Sequence, residues 1–326
     1  MASFILGPDT AGSGRVPAAF NNLVGLKPTR GLLSSSGMLP ACRSLDCMSI
    51  FALTTDDAEA VLCVAEGEDG GDGYSRSNPF DNNARHYGRW DGWVVVGVVR
   101  EEQLQFFGDT AYAKAYADTV AQVRELGWEI REIDFTPFLE AARLLYEGPW
   151  VAERYLATLP LIEERPESLH PITRAIIGAG SAPRATDIFT AEYRLEALRK
   201  RCHAILGEVT CLLTPTAGRH YSIAEVEQEP VALNSNLGFY TNFMNLLDLS
   251  AVAVPGCFTT GGMPFGITLL HQAFTDRKLL SIANRLQQHL DLSPGAVGFT
   301  LPVSNRQAVR EARWIDVVVC GAHMEG

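Results

Sequence analysis

Residues 7–29, reading GPDTAGSGRVPAAFNNLVGLKPT, set one serine, Ser13, between Gly12 and Gly14 in a run of small side chains. A serine hydroxyl attacks carbonyls once a base takes its proton, and acyl transfer also needs donors aimed where the oxyanion forms. The backbone N–H groups of Thr10, Ala11, Gly12 and Ser13 are the donors at hand. Gly12 and Gly14 allow a tight turn with positive φ that a Cβ on either side would obstruct, leaving the Ser13 hydroxyl exposed. A plain surface loop has the same composition, and the short motif alone does not separate the two. A phosphate loop fits less well, because Ser13 stands where such a loop needs lysine.

A second constellation could recognise an anion. Tyr146 and Arg154 are eight residues apart across EGPWVAE, and a helix break at Gly148-Pro149 would let both side chains turn toward one pocket. The planar fork of arginine suits a carboxylate, and a tyrosine hydroxyl adds a donor. By spacing alone, a core tyrosine and a surface arginine explain the pair as well. Tyr240, Asn242 and Asn245 form a polar group inside an apolar region and are candidates for the same pocket, although the asparagines would serve equally as ties to backbone.

The elements that must position these residues alternate between helix and strand, which points to an α/β layer architecture. Helices are expected at 56–66, 110–126, 137–146, 151–157, 185–206 and 276–289. Strands are expected at 93–99, whose β-branched run suits a strand buried on both faces, and at 129–133, 209–213 and 266–270. Residues 69–89 are rich in Gly, Asn, Asp and Ser and read as a loop. Beyond residue 302 the chain turns polar, then strongly apolar from 314 to 320.

The 326 residues are 47% hydrophobic and carry a net charge of −11, enough chain for one large domain or two smaller ones. The acidic balance, with no Lys/Arg cluster longer than 199–201, argues against nucleic acid or a membrane surface as partner. No apolar run is long enough to span a bilayer, and the opening MASFIL lacks a basic n-region, so the cytoplasm is the expected compartment. The seven cysteines have neither disulfide-framework nor metal-site spacing. Cys63, Cys202, Cys211 and Cys257 read as small buried hydrophobes. No metal is expected. His220 is the one histidine near a candidate site, and a solvated loop position suits it equally.

Taken together, DTAGSGRVPAAF followed by VGLKPTRG resembles the signature of the amidase signature family, whose members hydrolyse amide C–N bonds with a serine nucleophile. ACRSLDCMSIFALT, LYEGPWVAERY and LGFYTNFMNLLDLS extend the resemblance along the chain, toward the allophanate-hydrolysing members of that family. The resemblance implies an α/β/α sandwich with a mixed central β-sheet, Ser13 as nucleophile, and an oxyanion hole from Thr10, Ala11, Gly12 and Ser13. It also implies that Tyr146 and Arg154 bind the carboxylate of a small anionic amide, that no organic cofactor is used, and that the protein is a homodimer.

The family's catalytic lysine and cis-serine precede the nucleophile, and neither has a counterpart here: the first lysine is Lys27, in the downstream LKPT segment. The expectation is therefore a chain inactive by itself, with residues 1–302 as an amidase domain lacking the lysine and cis-serine region. Residues 303–326 are then a linker and the first strand, 315–326, of a cut-off C-terminal domain. Pro8 departs from the family's threonine, and its fixed φ bears on the geometry ahead of the oxyanion hole. Another amidase of the family, or a noncatalytic binding or assembly remnant, are the alternatives.

Overall fold

The structure, a computed structural model, describes residues 2–298 and 300–309. The strand expected at 315–326 lies outside them. Ten strands are described: β1 Phe4–Pro8, β2 Val24–Lys27, β3 Met48–Ala52, β4 Arg89–Trp90, β5 Val95–Val99, β6 Glu129–Ile133, β7 Cys211–Pro215, β8 Leu249–Phe258, β9 Pro264–Gln272 and β10 Ala308–Val309. The helices are α1 Val16–Phe20, α2 Thr55–Ala65, α3 Thr110–Glu125, α4 Thr136–Glu147, α5 Val151–Glu164, α6 Pro171–Gly178, α7 Ala185–Leu206, α8 Ile223–Gln228, α9 Pro230–Leu237 and α10 Asp276–Leu290.

Eight strands form one mixed sheet in the order β1-β3-β2-β8-β9-β7-β5-β6. Pairing is antiparallel from β1 to β7, and parallel from β7 through β5 to β6. Alternate side chains of a strand point to opposite faces, and the core divides accordingly. Cys211, Leu213, Val252, Val254 and Leu269 face one apolar cluster with Leu62 of α2, Val123 of α3 and Leu279 of α10. Leu212, Ala251 and Leu270 face the other, with Leu145 of α4, Leu198 of α7 and Phe243. Helices thus cover both faces of the sheet, the three-layer α/β/α arrangement expected.

Helices α3, α7 and α10 and strand β6 fall where they are expected. The 93–99 strand starts at Val95, since Trp93 is 70% exposed. Helix α5 runs through Pro160 to Glu164, past the expected end at 157. The 303–309 segment is docked: β10 pairs in parallel with β4, and Arg306 reaches Asp56 with an Nε–Oδ1 distance of 3.0 Å. Cys63, expected in the core, is exposed on α2, whereas Cys202 and Cys211 are buried.

At one edge of the sheet, β1 leaves Phe4, Ile5 and Leu6 47%, 56% and 43% exposed. Pro8 ends this edge strand opposite Met48, a place where a missing N–H does not break an interior ladder.

Candidate active site

The chain leaves β1 and turns through residues 9–15 before α1 begins. Buried Asp9 organises this turn: its Oδ1 accepts the Gly12 N–H at 2.7 Å and its Oδ2 accepts the Gly14 N–H at 3.1 Å. Arg15, equally buried, donates from Nε to Oδ2 at 2.8 Å and from Nη2 to Oδ1 at 2.9 Å. Burial pushes the Asp9 carboxyl up, but the Arg15 guanidinium, the Lys27 charge and the Gly14 N–H pull it down further, leaving it below its ordinary value. Sequence reasoning passed over this pair, although an Asp four residues before the serine and an Arg two after it were the available signal.

The two glycines serve different needs. Gly12 has φ +140°, and a Cβ there would lie 2.3 Å from Thr241 Oγ1. Gly14 needs only room: a Cβ would lie 2.4 Å from both Cβ and Oγ of Ser49. Ser13, between them, is exposed, and no hydrogen bond engages its side chain among the described residues.

Of the four expected oxyanion donors, Gly12 is corrected. Its N–H is occupied by Asp9, so it shapes the turn instead of facing a ligand. The N–H groups of Thr10, Ala11 and Ser13 have no intramolecular acceptor among the described residues. Thr10 is fixed by its hydroxyl, which donates to Asp46 Oδ1. Asp46 in turn accepts the N–H groups of Ala41 at 2.8 Å and Cys42 at 3.2 Å.

Ser13 opens onto a cleft of about 700 Å³, which Ala11, Tyr146, Thr173 and Asn242 also line. That size lies within the range of small-molecule sites, roughly 300–1,000 Å³. Helix α4 ends at Glu147 and α5 starts at Val151, so the break at Gly148-Pro149 folds as expected. It brings Arg154 back to Tyr146, with Nη2 3.4 Å from the phenolic oxygen and the guanidinium carbon 5.2 Å from the ring centroid. Tyr146 is 47% exposed. No carboxylate is within ion-pair distance of Arg154 among the described residues, and its buried Nε has no acceptor. An arginine held this way has charge and donors to offer an anion.

The structure brings Ser13, Tyr146 and Asn242 to one cleft, with Arg154 behind Tyr146. Tyr240 and Asn245 are elsewhere. Tyr240 is fully buried in the aromatic cluster of Phe135 and Phe243, and its hydroxyl donates to Gln105 O at 3.2 Å and accepts the Gln105 N–H at 2.7 Å. Asn245 ties backbone, donating from Nδ2 to Asp9 O at 2.7 Å and Leu45 O at 2.8 Å. Apolar packing turned Tyr240 inward, and the carbonyls of Asp9 and Leu45 captured Asn245.

Lys27 is buried and spends its ammonium on the carbonyls of Pro28, at 3.0 Å, and Leu249, at 2.7 Å. His220 packs on Phe20 at 4.2 Å, and burial lowers its pKa. Among the described residues there is no group of three or more His, Cys, Asp or Glu able to hold a metal ion, and no helix long and apolar enough to cross a membrane.

The model of the amidase family matches residues 1–280, which take in the Ser13 turn and every residue of the cleft. The chain belongs to the amidase family. Among individual amidases, it is 39% identical to the urea amidolyase of Saccharomyces cerevisiae over 98% of this chain and 18% of that protein. It is 43% identical to the urea amidolyase of Lachancea kluyveri over 86% of this chain and 15% of that protein. The solved allophanate hydrolase of Kluyveromyces lactis superposes with a TM-score of 0.87 at 40% identity, over 94% of this chain and 50% of that one. This amidase chain therefore spans under a fifth of the length of those curated relatives, and half of the solved enzyme.

Proposed function

We propose that this chain carries the nucleophile and the anion-binding side of an allophanate-hydrolysing amidase site. The observation behind the reading is the cleft itself: an exposed serine hydroxyl at one wall, and at another Tyr146 backed by an arginine without a carboxylate partner. Similarity to urea amidolyases and to an allophanate hydrolase supports the same substrate. Tyr146 and Arg154 hold the substrate carboxylate, the planar guanidinium meeting two coplanar oxygens. Ser13 Oγ attacks the amide carbonyl, the N–H groups of Thr10, Ala11 and Ser13 take up the oxyanion, and the C–N bond breaks to release ammonia. Water then hydrolyses the acyl-serine. Asn242, on the cleft wall, contributes polar contacts to the bound amide.

The base is the missing part. Lys27 is committed to two carbonyls, and no described side chain bonds the Ser13 hydroxyl. Without a base the hydroxyl is a poor nucleophile at neutral pH, so the chain alone is nearly inactive. In this reading residues 1–302 are part of an amidase domain and residues 303–326 lead out of it. Six free cysteines among the described residues fit a reducing compartment such as the cytoplasm. A homodimer completes the proposal and is tested by sedimentation over a range of concentrations.

Ammonia release from allophanate tests the function. It is measured for this chain, for the chain preceded by a family-like segment carrying a lysine and a second serine, and for Ser13→Ala in each. Turnover by the extended protein alone, abolished by Ser13→Ala, is expected. A folded extended protein that ignores allophanate overturns the substrate assignment.

A further inference from the structure

The turn at residues 41–47 joins the segment that leads into Ser13 to helix α5, which carries Arg154. On one side, Asp46 accepts the Thr10 hydroxyl, Cys47 O accepts the Asp9 N–H at 2.7 Å, and Asn245 bridges Leu45 O to Asp9 O. On the other, Glu153 in the first turn of α5 accepts both the N–H and the hydroxyl of Ser44, and the Cys42 thiol at 3.2 Å. The Ser44 carbonyl is held by Arg30 Nη1. All three polar groups of Ser44 are therefore engaged, and one short segment ties the nucleophile turn to the helix that carries Arg154.

We infer that Glu153 is a positioning residue for anion recognition, acting through Ser44 to set Arg154 at a fixed distance from Ser13. The inference rests on the carboxylate-binding reading of Tyr146 and Arg154 above. Adjacent helix residues point about 100° apart, from 3.6 residues per turn, so Glu153 and Arg154 serve different surfaces of one turn. Glu153 has its charge absorbed by Ser44 and Cys42 and is not paired with the neighbouring guanidinium. Its engagement has two effects: it holds the first turn of α5 in place, and it leaves Arg154 uncompensated for an incoming carboxylate. Burial and the Glu153 charge also push the Cys42 thiol up, which keeps it a neutral donor to that carboxylate.

The test is calorimetric binding of malonamate, which has the amide and carboxylate of allophanate with a methylene in place of the bridging N–H, and of neutral malonamide. Both are titrated into the 326-residue chain and its variants. Glu153→Ala is expected to weaken malonamate about tenfold, the low end of the loss seen when the partners that orient metal ligands are removed. Malonamide binding should stay within about twofold, and Glu153→Gln should restore most of the malonamate affinity, because its amide can still accept from Ser44 N and donate to Ser44 Oγ. Equal weakening of both ligands means a merely structural role and overturns the inference. Malonamate affinity unchanged in Glu153→Ala, while Arg154→Ala abolishes it, overturns the positioning role and leaves the anion-binding reading standing. Malonamate binding that survives Arg154→Ala overturns that reading itself, and the inference with it. Should Glu153→Ala not fold, Ser44→Ala, which removes only the hydroxyl arm, carries the test. A selective loss of malonamate supports the inference, and unchanged affinity overturns it.

Discussion

Arg15 grips Asp9 with two hydrogen bonds of 2.8 and 2.9 Å, both side chains fully buried, in the turn that carries the exposed Ser13. A buried pair of this kind need not outperform an apolar one, but removing one partner strands a charge at a cost of about 3–5 kcal/mol. Arg15→Ala should lower the free energy of urea unfolding by that amount, and loss of the Gly12 and Gly14 ties should follow. A change below about 1 kcal/mol would show that the turn holds without the pair.

The two glycines flanking Ser13 predict opposite outcomes for rescue. Gly14→Ala clashes with the Cβ and Oγ of Ser49, so Ser49→Gly in the same chain should recover a large part of the stability lost. Gly12→Ala should not be recovered by Thr241→Gly, because φ +140° is itself unfavourable for alanine. Double-mutant cycles from thermal unfolding distinguish a shortage of space from a strained backbone.

Tyr240→Phe should separate core from cleft. The change removes the two hydrogen bonds that the hydroxyl makes with the backbone of exposed Gln105 and should cost about 0.5–1.5 kcal/mol of stability. Malonamate affinity should not move. Asn242→Ala, on the cleft wall, should show the reverse pattern: near-native unfolding with weaker ligand binding.

Stability should fall in acid over a defined window. Asp9 is held below its ordinary value by Arg15 against the opposing effect of burial, and Asp248 by the bidentate Arg76 against the same effect. Asp134 is lowered to about 2 by hydrogen bonds from Thr136 and Gln103. Groups depressed in the folded state stabilise it fully above their unfolded values, near 3.9, and lose that contribution as pH falls through the folded ones. Urea midpoints should therefore be flat with respect to these groups above about pH 5 and drop steeply from about pH 4 toward pH 2. In Asp9→Asn that drop should be shallower.

The long helices and the strand β5 were readable because their apolar residues repeat at helical spacing or run unbroken, and β6 because it follows the Gly127 that ends α3. β8 was not, since Pro255 and Gly256 interrupt it. They sit at a register shift between Pro255 and Cys257, where a strand tolerates both. β1 and β2 escaped notice because one is exposed at an edge and the other has four residues. In the site, a motif could nominate Ser13, Tyr146 and Arg154, but could not tell which residues of 237–250 face the cleft. Phe243, Met244 and Leu247 point inward with Tyr240 at helical spacing, so their periodicity would have sent Tyr240 to the core and left Asn242 outside. The Glu153–Ser44 link spans 109 positions, and nothing local announces it.

The edge strand β1 has a bearing on how Ser13 tolerates motion. Its other flank pairs with no strand among the described residues and Phe4, Ile5 and Leu6 are exposed, so its amides should exchange with solvent sooner than those of β8 or β9. The restraint changes at Asp9, where Cys47, Asn245 and Arg15 all take hold. Ser13 is thus moored from downstream: opening of β1 should stop at Asp9 and leave the hydroxyl in place.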